Sequence, residues 1–569
     1  MDGVTNKMKN MADRTPDAMI DNSLSSPEKS AYVFLFRDSG RVLIVSLLIL
    51  FIWTVALAGM RWYTGSLPFA DEGARAGVHL LEQGHRVFSG QRPHVDFISP
   101  MGVFQYMLVH LGILICGVKG AALTMGYLAF MPMVLISTWV ICSKRMAYLP
   151  SSFITIAAVS LMLGANALGT PLPASSYETV YNRLGLAMIS PLLVAALLPK
   201  IRCGDFVDGI CIGLMLGCAF FLKINFGIGG ILLLLLGVFA KKIPISKLTL
   251  IFAGFLTVTV IVAVYLHGRL DAFFFDMFRL IKNSGSNVAS ICVTKAWFNL
   301  LDVNFGLMIL SVCLWGGIAA GNGSSISGDA RKPRFFVNFT KNLTILIIAA
   351  AIVFFVMVGC MKLDKFMFPY IFIFAVFGWT DAIFRNQPTW RGFVIGMLGF
   401  VCAFFFAFGQ TQSTVNALRH RLLINNSARR YCLLTNPALN DMPFILDGMP
   451  VAENLNLGTE LLAKNRVPKN YVVYSLTMFN NWPLLYGSAY RKGDWAWLHY
   501  GLLFDGSHQP SRHELFDDVD AVLVSKKDNY ANYSKEILSR YGQYFYDNYY
   551  LKDENSDWRL YLRKSSAVK

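Results

Sequence analysis

An Asp71-Glu72 pair, set in Leu67-Pro-Phe-Ala-Asp-Glu-Gly-Ala-Arg about ten residues past the first long apolar run, is the first candidate for chemistry in this chain. Paired carboxylates at a membrane surface suit a general base and its neighbour, since nearby like charge and partial burial raise a pKa toward working pH. A solvated loop with an acidic helix cap is the alternative, and the pair taken alone favours it. The same loop runs on through Gly90-Gln-Arg-Pro-His-Val-Asp-Phe-Ile-Ser-Pro-Met-Gly, where prolines and aromatics order it against a surface. Asp96 in that run is a further candidate acid, with a turn cap as its alternative.

Cations stand at matching places. Arg183 leads directly into an apolar run, and its guanidinium fork suits a phosphate. Lys223, in Phe220-Phe-Leu-Lys-Ile-Asn-Phe-Gly, joins two apolar runs with almost no loop between them. A phosphate anchor, a carboxylate partner or plain snorkelling to the headgroups would each explain it. Lys362 and Lys365, in Cys360-Met-Lys-Leu-Asp-Lys-Phe-Met-Phe-Pro, repeat the theme.

The elements that position these groups must be membrane helices. Of 569 residues, 55% are hydrophobic and 15% charged, and the mean hydropathy is +0.47. Apolar runs of about 20 residues, enough to cross a hydrocarbon core, recur from Val42 to Phe408 and then stop. The formal charge of +16 is carried largely in short loops between those runs. It therefore reads as topology and attraction to anionic lipid, with no nucleic-acid partner. Most of the ten cysteines lie inside apolar runs, so neither a disulfide framework nor a C-x-x-C metal site is expected. Residues 1–41 read as a disordered cytoplasmic leader, because the apolar run that follows is too long for a cleavable signal and no A-x-A site follows it.

Treating basic loops as cytoplasmic gives eleven spans. They fall near 42–60, 120–142, 151–169, 183–199, 206–222, 224–240, 248–266, 303–320, 342–360, 367–384 and 391–409. The shorter segment 102–117 then lies along the outer leaflet or dips into it. Lys144/Arg145, Lys200/Arg202, Lys241/Lys242/Lys247 and Arg331/Lys332/Arg334 all fall inside, while loops 61–118 and 170–182 fall outside. So do the acids and cations named above. Leu266 to Lys282 interleaves bulky apolar residues with charges and reads as an interfacial helix.

Beyond residue 410 the composition changes, and 410–569 is expected to be an extracytoplasmic α/β domain. Its strands are read at Asn470–Leu476, Val519–Ser525 and Trp558–Arg563, and its helices near Asn454–Lys464 and Asn532–Tyr541. Aromatics gather at Phe479–Gly487 and Trp495–Gly501, where they suit a buried core or the stacking of sugar rings. No glycine-rich phosphate loop stands in nucleotide-binding context.

At these residues the chain resembles membrane glycosyltransferases of the GT-C fold, in particular the protein O-mannosyltransferase and aminoarabinose-transferase group. The likeness is carried by the Asp71-Glu72 pair, Gly90-x-x-Pro-x-x-Asp-Phe, Tyr181-Asn-Arg-Leu-Gly, Phe221-Leu-Lys-Ile-Asn, and the Lys-containing loop that runs into Phe368-Pro-Tyr. It implies a mainly α polytopic catalytic domain over 42–409 and a donor in which the sugar is linked to polyprenyl phosphate. It further implies that Asp71 is the general base beside Glu72, and that Tyr181, Asn182, Arg183, Lys223, Lys362, Lys365 and Asp96 bind substrates. The group's His-Pro-Pro or Lys-Pro-Pro element is replaced here by Ser99-Pro-Met, a departure that bears on acceptor binding.

The expectation is an inverting glycosyl transfer at the outer face, with no cofactor, a metal requirement left open, and a glycan, lipid or protein as acceptor. The location expected is a bacterial inner membrane, with the N-terminus cytoplasmic and the tail outside. The alternatives are a transporter or flippase, which would place charges near the bilayer midplane in repeated halves, and a polysaccharide polymerase or ligase.

Overall fold

The computed structural model describes residues 40–64, 74–164, 180–279, 431–444, 449–498, 510–527 and 531–564, with a few isolated positions besides. The expected spans at 303–320, 342–360, 367–384 and 391–409 lie outside the described residues, as do nearly all of the leader 1–41 and loop 170–182.

Among the described residues seven helices form the bundle: α1 (Gly40–Thr64), α4 (Ala121–Ser143), α5 (Tyr148–Leu163), α6 (Val180–Leu197), α7 (Asp205–Leu222), α8 (Ile224–Phe239) and α9 (Leu248–Tyr265, after a 3-10 turn at Ile245–Lys247). Five segments among the described residues are long and apolar enough to cross a membrane, namely Gly40–Tyr63, Ala121–Ser143, Val180–Leu197, Asp205–Leu222 and Ile245–Tyr265. The chain is an integral membrane protein. Before α4 come two shorter helices, α2 (Ala74–Phe88) and α3 (Val103–Cys116), and after α9 residues 270–279 form α10.

The helices alternate in direction. Ser152 Oγ donates to the Ser46 carbonyl and Trp53 Nε1 to Ser160 Oγ, so α1 and α5 run parallel. At the start of α4, Gly120 N–H and Ala121 N–H both donate to the Asp441 carboxylate of the tail. At the opposite end of the bundle the basic loops converge on two acids. Arg145 grips Asp208 with both Nη atoms, at 2.6 and 3.0 Å, and Lys247 adds a contact at 3.0 Å. Asp205 pairs with Lys200 and with Lys247. The basic loops at 144–145, 200–202 and 247 therefore share one end, as the charge pattern requires.

Segment 102–117 forms a short apolar helix. α3 is 14 residues long. Its start is tied to the tail-side end of α7 by Gly102 N–H donating to the Leu222 carbonyl, and its end turns directly into α4 beside Asp441. The two helices touch backbone to backbone: a Cβ on Gly112 would lie 1.9 Å from the Ala122 carbonyl oxygen, and one on Gly126 would lie 1.9 Å from that of Leu108. α7 meets α9 in the same way through Gly209, Gly213 and Gly217. Small residues let helix backbones approach closely where lipid supplies no hydrophobic drive. At the centre of the bundle, every residue of α6 but Tyr181 is buried.

The tail is an α/β unit with a four-stranded sheet in the order β2 (Val473–Ser475), β4 (Ala521–Ser525), β6 (Trp558–Arg563), β5 (Tyr549–Glu554). β2 and β4 are parallel, while β6 runs antiparallel to both neighbours. α11 (Met449–Lys464) and α12 (Ala531–Asn548) flank it. All three strands read from sequence are present; β5, mostly exposed, lacks the apolar alternation that would have marked it.

The tail also shares strands with the first loop. β1 (Phe97–Ile98) lies parallel to β3 (Asp494–Trp495), with Phe97 opposite Asp494 and Ile98 opposite Trp495. α10 packs inward through Phe273, Asp276 and Met277 and turns Phe275 and Phe278 outward, the amphipathic pattern expected of this segment.

The α3–α4 contact yields a prediction. Gly126→Val should cost about 1–3 kcal/mol through overpacking and lower the thermal midpoint of the detergent-solubilised protein. Gly59→Ala, where a Cβ meets nothing within 4 Å, should leave it unchanged or slightly higher.

Candidate functional site

The tail-side end of the bundle is where the expected site residues that fall within the described structure gather. Lys223 is a single extended residue between α7 and α8. Its Nζ lies 3.4 Å from Asn182 Oδ1 and 5.3 Å from the centroid of the Tyr181 ring. Asn182 and Arg183 are buried in the first turn of α6. One end of the central helix thus presents an aromatic face, an amide and a guanidinium beside the ammonium of the α7–α8 junction. Two cations at one end of the bundle can hold an anion. Asp71, Glu72, Lys362 and Lys365 lie outside the described residues.

Asp96 sits apart from that group. It accepts from the Arg92 backbone N–H at 2.8 Å and from Arg92 Nε at 3.1 Å, and Lys492 Nζ stands 3.8 Å away. Burial pushes its carboxyl up, but the Arg92 bonds and the charges of Arg92 and Lys492 outweigh that and hold it below the usual carboxylate value. Its backbone carbonyl accepts from Gly493 N–H at 2.7 Å. Asp96 caps a turn and fastens that turn to the tail.

Between α2 and the tail lies a buried polar layer that sequence reading missed. Arg86, with no exposed side chain, donates from Nε to Glu82 at 2.5 Å and from Nη2 to Asp494 at 2.7 Å. Its guanidinium carbon lies 5.0 Å from the Tyr490 ring centroid and 5.5 Å from that of Phe97. Gln91 donates to the Arg491 carbonyl, and His85 Nδ1 meets Tyr490 OH at 2.6 Å. A pattern was visible in the sequence: His79, Glu82, Gln83 and Arg86 recur at the spacing of one helix face. Such a face ordinarily means solvent. Here it means a polar interior.

One guanidinium cannot neutralise two carboxylates away from water. Glu82 is pushed up to about 8, burial outweighing the attraction of Arg86, so it carries a proton near neutral pH. Arg86 itself stays charged, since the carboxylates oppose its desolvation. His79 is held below the usual imidazole value by burial and by Arg86, against the help of Asn481, and is neutral.

A second buried pair joins the loop to α10. His94 Nδ1 lies 2.9 Å from Asp276 Oδ2, its Nε2 is buried without a partner, and its backbone sits at φ 64°, strained for a residue with a side chain. The ring packs edge-on against Phe273, which reaches Phe221 of α7, two residues before Lys223. Among the described residues no group of three or more His, Cys, Asp or Glu could hold a metal.

No protein-family model and no curated protein matches the chain. Among solved structures it is similar to the crystal structure of ArnT from Cupriavidus metallidurans bound to undecaprenyl phosphate, with TM-score 0.42 and 10% identity over 92% of this chain and 98% of that one. The apo state of the same protein gives TM-score 0.40 and 11% identity over 90% and 98%.

Glu82 gives a pH prediction. The folded protein keeps a proton to about 8 that the unfolded chain releases near 4.5, so this group's contribution to stability is full below about 4.5 and lost as pH rises through about 8. In Glu82→Gln the fall in thermal midpoint between pH 5 and 9 should be shallower than in the unaltered protein; equal slopes would show that Glu82 is ionised throughout.

Proposed function

We propose that the protein transfers a sugar from a polyprenyl-phosphate donor to an acceptor hydroxyl, on the membrane face that carries the tail domain and lies outside the cytoplasm. The observation that supports this best is the grouping of Lys223, Asn182 and Arg183 at the tail-side end of the bundle. A donor phosphate gains negative charge as the bond from its oxygen to the anomeric carbon breaks, and fixed cations at that oxygen stabilise the charge where it develops. Asn182 and the Tyr181 ring orient the Lys223 ammonium.

In this reading Asp71 takes the acceptor hydroxyl's proton as the oxygen attacks the anomeric carbon from the face opposite the phosphate, so configuration inverts. The bond electrons leave with the polyprenyl phosphate. Glu72 positions Asp71 or the acceptor, and Lys362 and Lys365 add positive charge for the phosphate. Asp96 acts through the turn it caps. No metal or cofactor enters the scheme, and the acceptor is a glycan, lipid or protein. The inner membrane of a bacterium is the setting that suits such a donor.

Glycolipid profiles from cells carrying either the intact chain or Asp71→Asn at matched membrane levels should differ in two respects. The variant should accumulate one polyprenyl-phosphate sugar and lose one glycoconjugate, whereas unchanged profiles with folded protein present would remove Asp71 from the scheme and favour transport. In a purified transfer assay, Lys223→Met should lower kcat by roughly 100-fold, the scale of losing one charge-stabilising donor. Lys223→Arg should restore part of it. A Lys223→Met enzyme at full rate would place the phosphate elsewhere.

A further inference from the structure

Lys223 stands at a break between two helices, and the break makes a demand of its own. In a continuous helix the Leu222 carbonyl would accept from Phe226 N–H. Here Phe226 N–H donates to the Lys223 carbonyl at 3.0 Å, while Lys223 N–H returns to the Ala219 carbonyl at 3.2 Å. Lys223 itself is extended, at φ −164° and ψ 128°. The usual donor to the Leu222 carbonyl is thereby diverted, and a helix-end carbonyl must be met from elsewhere. Gly102 N–H, from the first outer loop, meets it at 3.1 Å.

Gly102 precedes α3 with φ −70° and ψ 156°, a conformation open to any residue. A helix start of that kind ordinarily favours Ser, Thr, Asn or Asp. What requires glycine at this position is the closeness of α7. A Cβ would lie 2.1 Å from the Phe221 carbonyl oxygen and 2.6 Å from that of Leu222. Both obstacles are backbone, so neither can rotate away.

The segment that carries Gly102 is held along its length. The Ile98 carbonyl accepts from Ala496 N–H of the tail at 3.2 Å. Ser99 Oγ accepts from Met101 N–H at 3.3 Å and bonds to the hydroxyl of Tyr106, in the first turn of α3. The donor offered to Leu222 is therefore fixed in place. Because a peptide unit is planar, a bond to the Leu222 carbonyl also orients the N–H, and with it the Cα, of Lys223. An ammonium on a flexible four-carbon stem is only as well placed as its base.

We propose that Gly102 is a positioning residue for the donor phosphate. Through the Leu222–Lys223 peptide it sets where the Lys223 ammonium stands beside Asn182 and Tyr181. The proposal rests on the reading of Lys223 as the phosphate anchor.

The test uses the full-length purified protein and two probes that differ in the phosphate alone, farnesyl phosphate and farnesol. Affinities are measured for the unaltered protein, Gly102→Ala, Lys223→Met and the double variant. Gly254→Ala serves as the packing control: its Cβ would meet the Ile210 carbonyl oxygen at 2.4 Å, about three turns of α7 before Lys223. Lys223→Met should weaken farnesyl phosphate about 10-fold, the scale of one charge-assisted hydrogen bond, and leave farnesol unchanged. Gly102→Ala should weaken farnesyl phosphate about fivefold, again without touching farnesol. In the Lys223→Met background it should add less than about twofold, because the group it acts through is gone. Gly254→Ala should lower the thermal midpoint and leave the ratio between the probes as it was.

A Gly102→Ala protein with the unaltered phosphate preference, or a loss that persists in full beside Lys223→Met, would overturn the proposal and leave the anchor standing. Farnesyl phosphate and farnesol weakened in parallel would show a structural role only, and would overturn it equally. An unaltered preference in Lys223→Met would remove the anchor itself and the proposal with it. Should Gly102→Ala fail to fold, Ser99→Ala takes its place in the cycle with the same outcomes, since it frees the segment from Tyr106 and from Met101 N–H without adding an atom.

Discussion

A guanidinium with no exposed surface must be enclosed by groups that hold its charge, and Arg86 imposes that demand on the whole junction between bundle and tail. Glu82 answers from the same helix one turn away, Asp494 from the tail, and the Phe97 and Tyr490 rings lie on either side. Removing Arg86 or Asp494 from such a buried set costs about 3–5 kcal/mol, because the remaining charge is left uncompensated. Around this centre the loop and the tail share backbone as well: β1 pairs with β3, and Gly493 N–H donates to the Asp96 carbonyl. A two-residue ladder has little stability alone. It persists because Arg86 holds α2, the loop and Asp494 in register.

The consequence reaches the lipid-facing part of the chain. β1 leads through Ser99-Pro-Met to Gly102, whose N–H meets the Leu222 carbonyl one residue before Lys223. A Cβ on Gly102 would come within 2.1 Å of the Phe221 carbonyl oxygen, so loop and α7 are in backbone contact. The position of the tail thus bears on the position of the cation at the α7–α8 junction through one short, rigid path. His94 with Asp276 braces the same path from α10. The strain at His94 is tolerable because contacts on both sides of the loop leave it no alternative.

Much of this was legible in the sequence, for identifiable reasons. Apolar runs and basic loops gave the helices and their alternation, because lipid requires internally satisfied backbone and charge seeks one side. Segment 102–117 was read as non-crossing from the charge of Lys144 and Arg145 and from its short length, and it forms a 14-residue helix tied at both ends to the tail side. The grouping of Lys223 with Asn182 followed from their common sidedness. The polar layer escaped notice because a helix carrying His79, Glu82, Gln83 and Arg86 on one face has the pattern of a solvated surface helix. Its partners, Asn480 and Asp494, arrive about 400 residues later in the chain. Pairings of that separation leave no local periodicity.

A protonated Glu82 also bears on the choice of network. Asn480 and Arg86 both engage Asp494 through one oxygen, leaving Asp494 Oδ1 and Glu82 Oε2 buried without a partner. Two ionised carboxylates so placed would repel across a dry gap with one cation to share. A single proton on Glu82 removes that repulsion, so the layer is neutral overall only in the protonated form. A wholly apolar junction would have been easier to bury, but it would not have fixed the register of β1 against β3. Directional bonds from Arg86 do that, and the residues that bring the loop to Lys223 depend on the register they set.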